Sequence, residues 1–274
     1  MPGTRNAASE GVDLAYIGRV LRVVSVADFK LKYADSSLGY AWSVAKPLAY
    51  FAVLYAVFGR FFRLNLGFKH YPAYLLIGIV LWTFFLDTTN LGLWSFVGNS
   101  SLLKKLAFPR IVLPMAASMT TLLTFAVNLI VLAILIAIDG LRPALSWLFV
   151  PLLLLELYVF TLAISVILAT LHARMRDIGQ VWELAGQLLF YATPIIYPVG
   201  FLPRWAQYIA FANPFVQVLQ DIRAVIVPQR EAMTVAVVYG SEAARAVPLA
   251  TLTIMLMIAW WIFKRDEPYL AELT

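Results

Sequence analysis

Residues 111–138 form a stretch of 28 positions without a charged side chain, and residues 143–171 a second stretch of 29 in which Glu156 is the only one. At about 1.5 Å of rise per residue, each is long enough as a helix to cross a hydrocarbon core of roughly 30 Å. Lipid is the solvent that accommodates them. The rest of the chain agrees: it is 62% hydrophobic and 13% charged, where a soluble domain carries about 25% charged residues. Such a composition leaves too few polar side chains to cover a water-exposed surface.

Four further segments have a span's character. Residues 71–103 contain one acid or base before Lys104, which is Asp87. Residues 184–203 are uncharged but interrupted by Pro194 and Pro198. Residues 247–263 are uncharged and end on Trp260, Trp261, Lys264 and Arg265, an interfacial anchor pattern. The shortest, residues 47–59, spans if residues 42–46 join it and Lys46 and Arg60 snorkel outward. The expected spans are therefore about 42–62, 73–96, 111–138, 144–171, 180–199 and 247–263 of one membrane domain.

Six spans put both termini on one side. With the N-terminus inside, 13 of the 21 Lys and Arg lie on the cytoplasmic side and 8 on the outer side, which favours cytoplasmic N- and C-termini. The first dozen residues lack the pattern of a cleaved secretory signal. Before the first span, Leu14, Ile17, Leu21 and Val24 recur at helical spacing with Arg19 and Arg22 between them. This predicts an amphipathic helix over about 13–32 on the membrane surface, with Lys30 and Lys32 at its end. After the proline-broken span, Pro203, Asn213, Pro214 and Pro228 divide residues 201–228 into two pieces too short to cross. They are expected to dip into the outer leaflet and return, as shielded backbone can. The fold class is all-α integral membrane: six transmembrane helices, an interface helix, and two short re-entrant helices before the last span.

Chemistry is sparse. The chain has no cysteine and two histidines, His70 and His172, assigned to opposite sides, which argues against a metal cluster. It has neither a phosphate-cradling G-x-x-x-x-G-K-[ST] loop nor a G-x-S-x-G nucleophile turn. No catalytic residue, cofactor, metal or nucleic-acid partner is expected. Asp87, Glu156 and Glu183 stand within or near spans, and each admits a proton-relay reading and a structural one. Aromatics form two series: Phe51, Tyr55, Phe58 and Phe62 along the first span, and Phe190, Tyr197 and Phe201 at matching offsets in the fifth. Aromatic planes can support the C–H faces of sugar rings; they equally pack helices or face lipid.

Three stretches in series resemble the permease subunits of type-2 ABC polysaccharide exporters, which handle O-antigens, capsules and teichoic acids. The first is Phe29, Lys30, Leu31, Lys32 and Tyr33, followed by Ser36, Leu38, Gly39, Trp42 and Pro47. Here the family's arginines are replaced by Ala27, Lys32, Ala34 and Asp35. The second runs from Trp82, Thr83, Phe84 and Phe85 through Asn99, Leu102, Lys104, Lys105, Phe108, Pro109 and Arg110 to Leu113 and Pro114. The third joins Arg176, Asp177 and Ile178 to Thr193, Pro194, Ile195, Ile196, Tyr197 and Pro198, and then to Asn213 and Pro214.

The resemblance implies a homodimer in the bacterial inner membrane with two copies of a separate P-loop ATPase, which would hold ATP and magnesium. It implies that Asn99, Leu102, Lys104, Lys105, Phe108, Pro109 and Arg110 dock on that ATPase. The first and fifth spans would line the channel, and Pro194, Pro198, Trp205, Asn213 and Pro214 would belong to the outer gate. The cargo would be a lipid-linked polysaccharide, and an actinobacterial relative would carry a galactan. The alternatives are a small-molecule exporter of the same fold and a proton-coupled flippase using Asp87 and Glu156.

Overall fold

The computed structural model describes residues 18–19, 21–22, 25–26, 39–62, 70–100, 109–227 and 233–272, and helix is the only regular structure among them. The helices are α1 (Trp42–Leu54), α2 (Tyr71–Leu93), α3 (Val112–Ile138), α4 (Val150–Arg174), α5 (Ile178–Ala192), α6 (Arg204–Ala212), α7 (Pro214–Ile226) and α8 (Ala246–Glu272). Shorter turns lie between them. Proline opens three of the helices, with Pro72, Pro151 and Pro214 in the first turns of α2, α4 and α7. Its fixed φ suits a first turn, and the N–H it lacks has no intrahelical partner there.

Five segments are long and apolar enough to cross a membrane: Trp42–Phe61, Tyr71–Leu93, Val112–Ile138, Leu145–Arg174 and Glu242–Leu270. Helix α2 is the centre of the bundle. It is apolar on every face, as a buried helix must be, and α1, α3, α4, α5 and α7 all pack on it. Helix α8 packs on α4 and α7 instead. Between lipid-like surfaces the hydrophobic effect gives little drive for association, so close backbone approach and polar contacts carry more of it. Gly92 of α2 supplies the approach: a Cβ there would lie 1.7 Å from Ser165 Oγ on α4. The hydroxyls of Thr88 and Thr121 meet at 2.6 Å between α2 and α3, and Trp182 Nε1 of α5 donates to Thr89 Oγ1 at 3.2 Å.

The two ends of the bundle are tied by different polar contacts. At one, His70 before α2 meets Asp139 after α3, Nδ1 to Oδ2, at 2.9 Å. At the other, Arg110 donates to the Glu267 carbonyl, while the carboxylate of Asp266 lies between Arg265, at 2.9 Å, and Arg174, at 3.5 Å. Near the N-terminus Gly18, Arg19, Leu21, Arg22, Ser25 and Val26 are helical. Arg19 and Arg22 face outward, and buried Ser25 receives the Thr120 hydroxyl on its carbonyl at 3.2 Å. Lys30 and Lys32 lie outside the described residues.

The fifth crossing departs from expectation. A single helix over about 180–199 is replaced by α5, which stops at Ala192, followed by non-helical residues 193–198. The 15 residues of α5 rise only about 22 Å. Pro194 is the cause, because it disfavours helical geometry at Thr193, whose ψ is 137°. Residues 193–198 extend to Tyr71, at the start of α2, whose hydroxyl meets the Ile196 carbonyl.

Candidate functional site: a broken span and its arginine clamp

A non-helical stretch at membrane depth exposes carbonyls that lipid cannot satisfy. Here they are taken up one after another. The hydroxyl of Tyr71 donates to Ile196 O at 3.0 Å, and that of Tyr74 to Tyr197 O at 3.3 Å. The hydroxyl of Tyr197 turns back to the α5 terminus and lies 3.1 Å from both Tyr191 O and Ala192 O. Arg223 of α7 supplies the rest. Its Nη1 donates to Pro194 O at 2.8 Å, its Nη2 to Ile195 O at 2.6 Å, and its Nε to Tyr74 O at 3.1 Å. Its guanidinium also lies 3.5 Å from the centroid of the Tyr74 ring. Arg223 is 2% exposed, so this cation lives wholly within the bundle. The planar fork fits the two adjacent carbonyls in a way a lysine ammonium could not.

Gly78 makes the clamp possible. A Cβ at that position would lie 2.5 Å from Arg223 Nη2 and 3.0 Å from Ile195 Cγ2. The glycine therefore provides the space through which Arg223 of α7 reaches the break after α5.

Helices α6 and α7 form the hairpin that holds Arg223. Asn213 is the single residue between them, and its Oδ1 accepts from Phe215 N at 2.9 Å, an N-cap ahead of Pro214. Phe215 packs against Trp82 and Phe85 of α2, with ring centroids 5.4 and 5.3 Å apart. Those two rings lie 11 and 14 residues into α2, so the hairpin dips about 16–21 Å from the level of Tyr71, over half of a roughly 30 Å core. The α6 face carrying Trp205, Tyr208 and Ile209 is exposed. Pro194, Pro198, Asn213 and Pro214 thus belong to one connected structure, with Trp205 on its outer surface.

The two aromatic series are rearranged. Residues Tyr55–Phe61 form a π-helical turn, which breaks the regular offsets of the first series. Phe51 stacks on Tyr55, Tyr55 on Tyr71, and Phe58 on Phe62. Phe51, Tyr55 and Phe58 are half-buried toward α2, while Tyr50, Val53 and Phe61 form the exposed face. In the fifth crossing Phe190, Tyr197 and Phe201 do not share a helix, because α5 ends first. Phe190 is 9% exposed and packs on Trp82, whereas its neighbour Tyr191 is 66% exposed. Tyr191 is the aromatic that this helix presents outward, with Leu184 and Leu188 below it.

In the expected docking segment, Leu102, Lys104, Lys105 and Phe108 lie outside the described residues. Asn99 donates to Ser95 O at 3.0 Å, Pro109 leads into the first turn of α3, and Arg110 joins that turn to the end of α8 through the Glu267 carbonyl. The structure does not bring Asp87 and Glu156 together. Thr88, next to Asp87, approaches Ser165, which lies nine residues beyond Glu156 on α4, or about 13 Å along the helix.

The family profile described as "ABC-2 type transporter" matches residues 19–227. An O-antigen export system permease protein RfbA of Klebsiella pneumoniae is 32% identical over 212 residues, covering 77% of this chain and 81% of the relative. The protein of the same name from Myxococcus xanthus is 27% identical over 217 residues, 78% of this chain and 82% of the relative. The polysialic acid transport protein KpsM of Escherichia coli is 20% identical over 209 residues, 73% and 78% respectively.

Proposed function

Because this chain belongs to the ABC-2 type transporter family, we propose that it is the transmembrane subunit of an ATP-driven exporter that moves a lipid-linked polysaccharide from the cytoplasmic to the outer side of the inner membrane. Permeases of this family are multi-pass membrane proteins that work with an ATPase partner, and its relatives serve polysaccharide export. The observation that carries the finer reading is likeness, over about three quarters of the chain, to one protein named for O-antigen export and another for polysialic acid transport. In this reading the functional unit is a homodimer with two ATPase copies.

The geometry supports an orientation and a route. Among the described residues Lys46, Arg110, Arg174, Arg176, Lys264 and Arg265 lie toward the end of the bundle opposite the His70–Asp139 pair, and Arg60, Arg142, Arg204 and Arg245 toward the other, an excess that supports reading the former as the cytoplasmic end. Asn99, Arg110 and the end of α8 then lie on the side of the ATPase. The broken crossing and its hairpin face outward, where α1 and α5 present Tyr50, Phe61 and Tyr191 to a cargo path between protomers. The separation of Asp87 from Glu156 favours ATP over a proton relay as the energy source.

Depleting the chain in its native host tests the proposal. The expected result is accumulation of a lipid-linked glycan, a galactan among the candidates, inside the cell, together with co-purification of a P-loop subunit with the tagged chain. Normal glycan export in the depleted cells would overturn it.

A further inference from the structure

Beyond the broken crossing, α4, α7 and the start of α8 line an open pocket of about 430 Å³ bounded by Leu152, Glu156, Gln217, Asp221, Arg245 and Leu249, among others. It lies toward the end of the bundle that carries His70 and Asp139, since Glu156 is only six residues into α4. Its floor has a surplus of acceptors. Gln217 Nε2 donates to Asp221 Oδ2 at 2.7 Å, and both residues are more than nine-tenths buried, at 6% and 8% exposure. Gln217 Oε1 and Glu156 Oε1 are themselves buried, and neither accepts a hydrogen bond from any described residue. Arg245, at the rim, is paired with Glu242 at 2.9 Å. No cation among the described residues forms a salt bridge with Glu156 or Asp221. The leucine walls face outward: Leu152 and Leu249 are exposed on the apolar flank of the bundle.

We propose that this pocket binds the headgroup of a primary-amine phospholipid, with the ammonium seated among Glu156, Asp221 and Gln217 Oε1. An ammonium carries three N–H donors, which can serve the two orphaned oxygens, Glu156 Oε1 and Gln217 Oε1, together with the Asp221 carboxylate, and its charge answers the two carboxylates. Arg245 stands at the rim where the adjoining phosphate emerges, and Leu152 and Leu249 flank the acyl chains. A quaternary ammonium has no N–H to give and is held instead by aromatic cages; no aromatic side chain lines this pocket. The bound lipid would tie α4 and α8 to α7 two residues from Arg223, steadying the helix that clamps the broken crossing. The inference concerns lipid binding and stands apart from the nature of the cargo.

The test uses the full chain, delipidated and reconstituted in nanodiscs of phosphatidylglycerol doped equally with phosphatidylethanolamine, its N,N-dimethyl analogue and phosphatidylcholine. Lipids retained after extraction are counted by native mass spectrometry. The expected order follows the N–H count, with phosphatidylethanolamine retained at least about tenfold over phosphatidylcholine, the factor one charge-assisted hydrogen bond accounts for. Glu156→Gln combined with Asp221→Asn removes that preference, and Leu249→Trp, which fills the mouth without touching the acids, lowers retention of all three. Equal retention of the three lipids by the unaltered protein would overturn the proposal, and that arm requires no variant to fold. Undiminished preference in the Glu156→Gln, Asp221→Asn protein would overturn it as well.

Discussion

Replacing Arg223 by Met keeps most of the side chain's bulk but removes its donations to Tyr74 O, Pro194 O and Ile195 O. Hydrogen bonds between membrane helices average about 0.6 kcal/mol and reach about 1.7, so three are worth about 2–5 kcal/mol together. Part of that is offset because a charge no longer has to be buried. A net cost of about 2 kcal/mol remains and falls on residues 193–198, whose carbonyls lose their partner. That corresponds to about a thirtyfold larger open fraction of the segment. The chain contains no cysteine, so a single reporter can be read without background. Ile196, 3% exposed beneath Tyr71, is the reporter site. In the Ile196→Cys protein, maleimide labelling is expected to be slow and to accelerate about thirtyfold once Arg223→Met is added, whereas Trp205→Cys on the exposed hairpin face labels at the same rate in both backgrounds. Labelling of Ile196→Cys that changes by less than about twofold would show that Arg223 does not hold the break closed, and the clamp would be refuted.

Gly78→Ala places a methyl 2.5 Å from Arg223 Nη2, a clash expected to lower stability by about 1–3 kcal/mol. Arg223→Met should relieve most of that cost, and additive losses in the double variant would contradict their coupling. Phe190→Ala should destabilise the fold by about 3 kcal/mol or more because it empties a packed site against Trp82. Tyr191→Ala, one position along and exposed, should leave thermal stability unchanged while reducing glycan export in reconstituted vesicles. Lys104→Glu with Lys105→Glu is expected to abolish co-purification of the ATPase with no change in the melting temperature of the permease, and an undisturbed complex would remove those lysines from the docking segment.

Much of the architecture was readable from long-range patterns. Uncharged runs located five of the six expected spans, because a bilayer imposes length and polarity on every crossing, and Pro194 and Pro198 marked the interruption of the segment expected as the fifth. The pairing of Asn213 with Pro214 announced the hairpin, since a cap followed by an N1 proline is a local signal. What escaped was what holds the break. Arg223 reads in sequence as a polar position in a short amphipathic piece, and only three-dimensional packing reveals that its guanidinium crosses to Pro194 and Ile195 through the gap left by Gly78. An arginine in a segment expected to dip into the membrane was the available signal. The aromatic series were altered for local reasons: a π-turn forms over residues 55–61, although Phe51, Tyr55 and Phe58 still share the face toward α2, and α5 ends before Tyr197. Glu156 stood out as a charge within a span, but its neighbours Gln217 and Asp221 lie some 60 residues away and announced themselves by no spacing.

ATP-dependent movement of a lipid-linked glycan tests the central claim most directly. Inside-out vesicles carrying this chain and its co-purified ATPase would be loaded on the outer, cytoplasm-equivalent face with the host's labelled lipid-linked polysaccharide. ATP is expected to transfer the label to the protected interior, and neutralising Asp87 and Glu156 to leave this ATP requirement in place. Transfer that proceeds without ATP, driven by a proton gradient and lost with those two carboxylates, would contradict it.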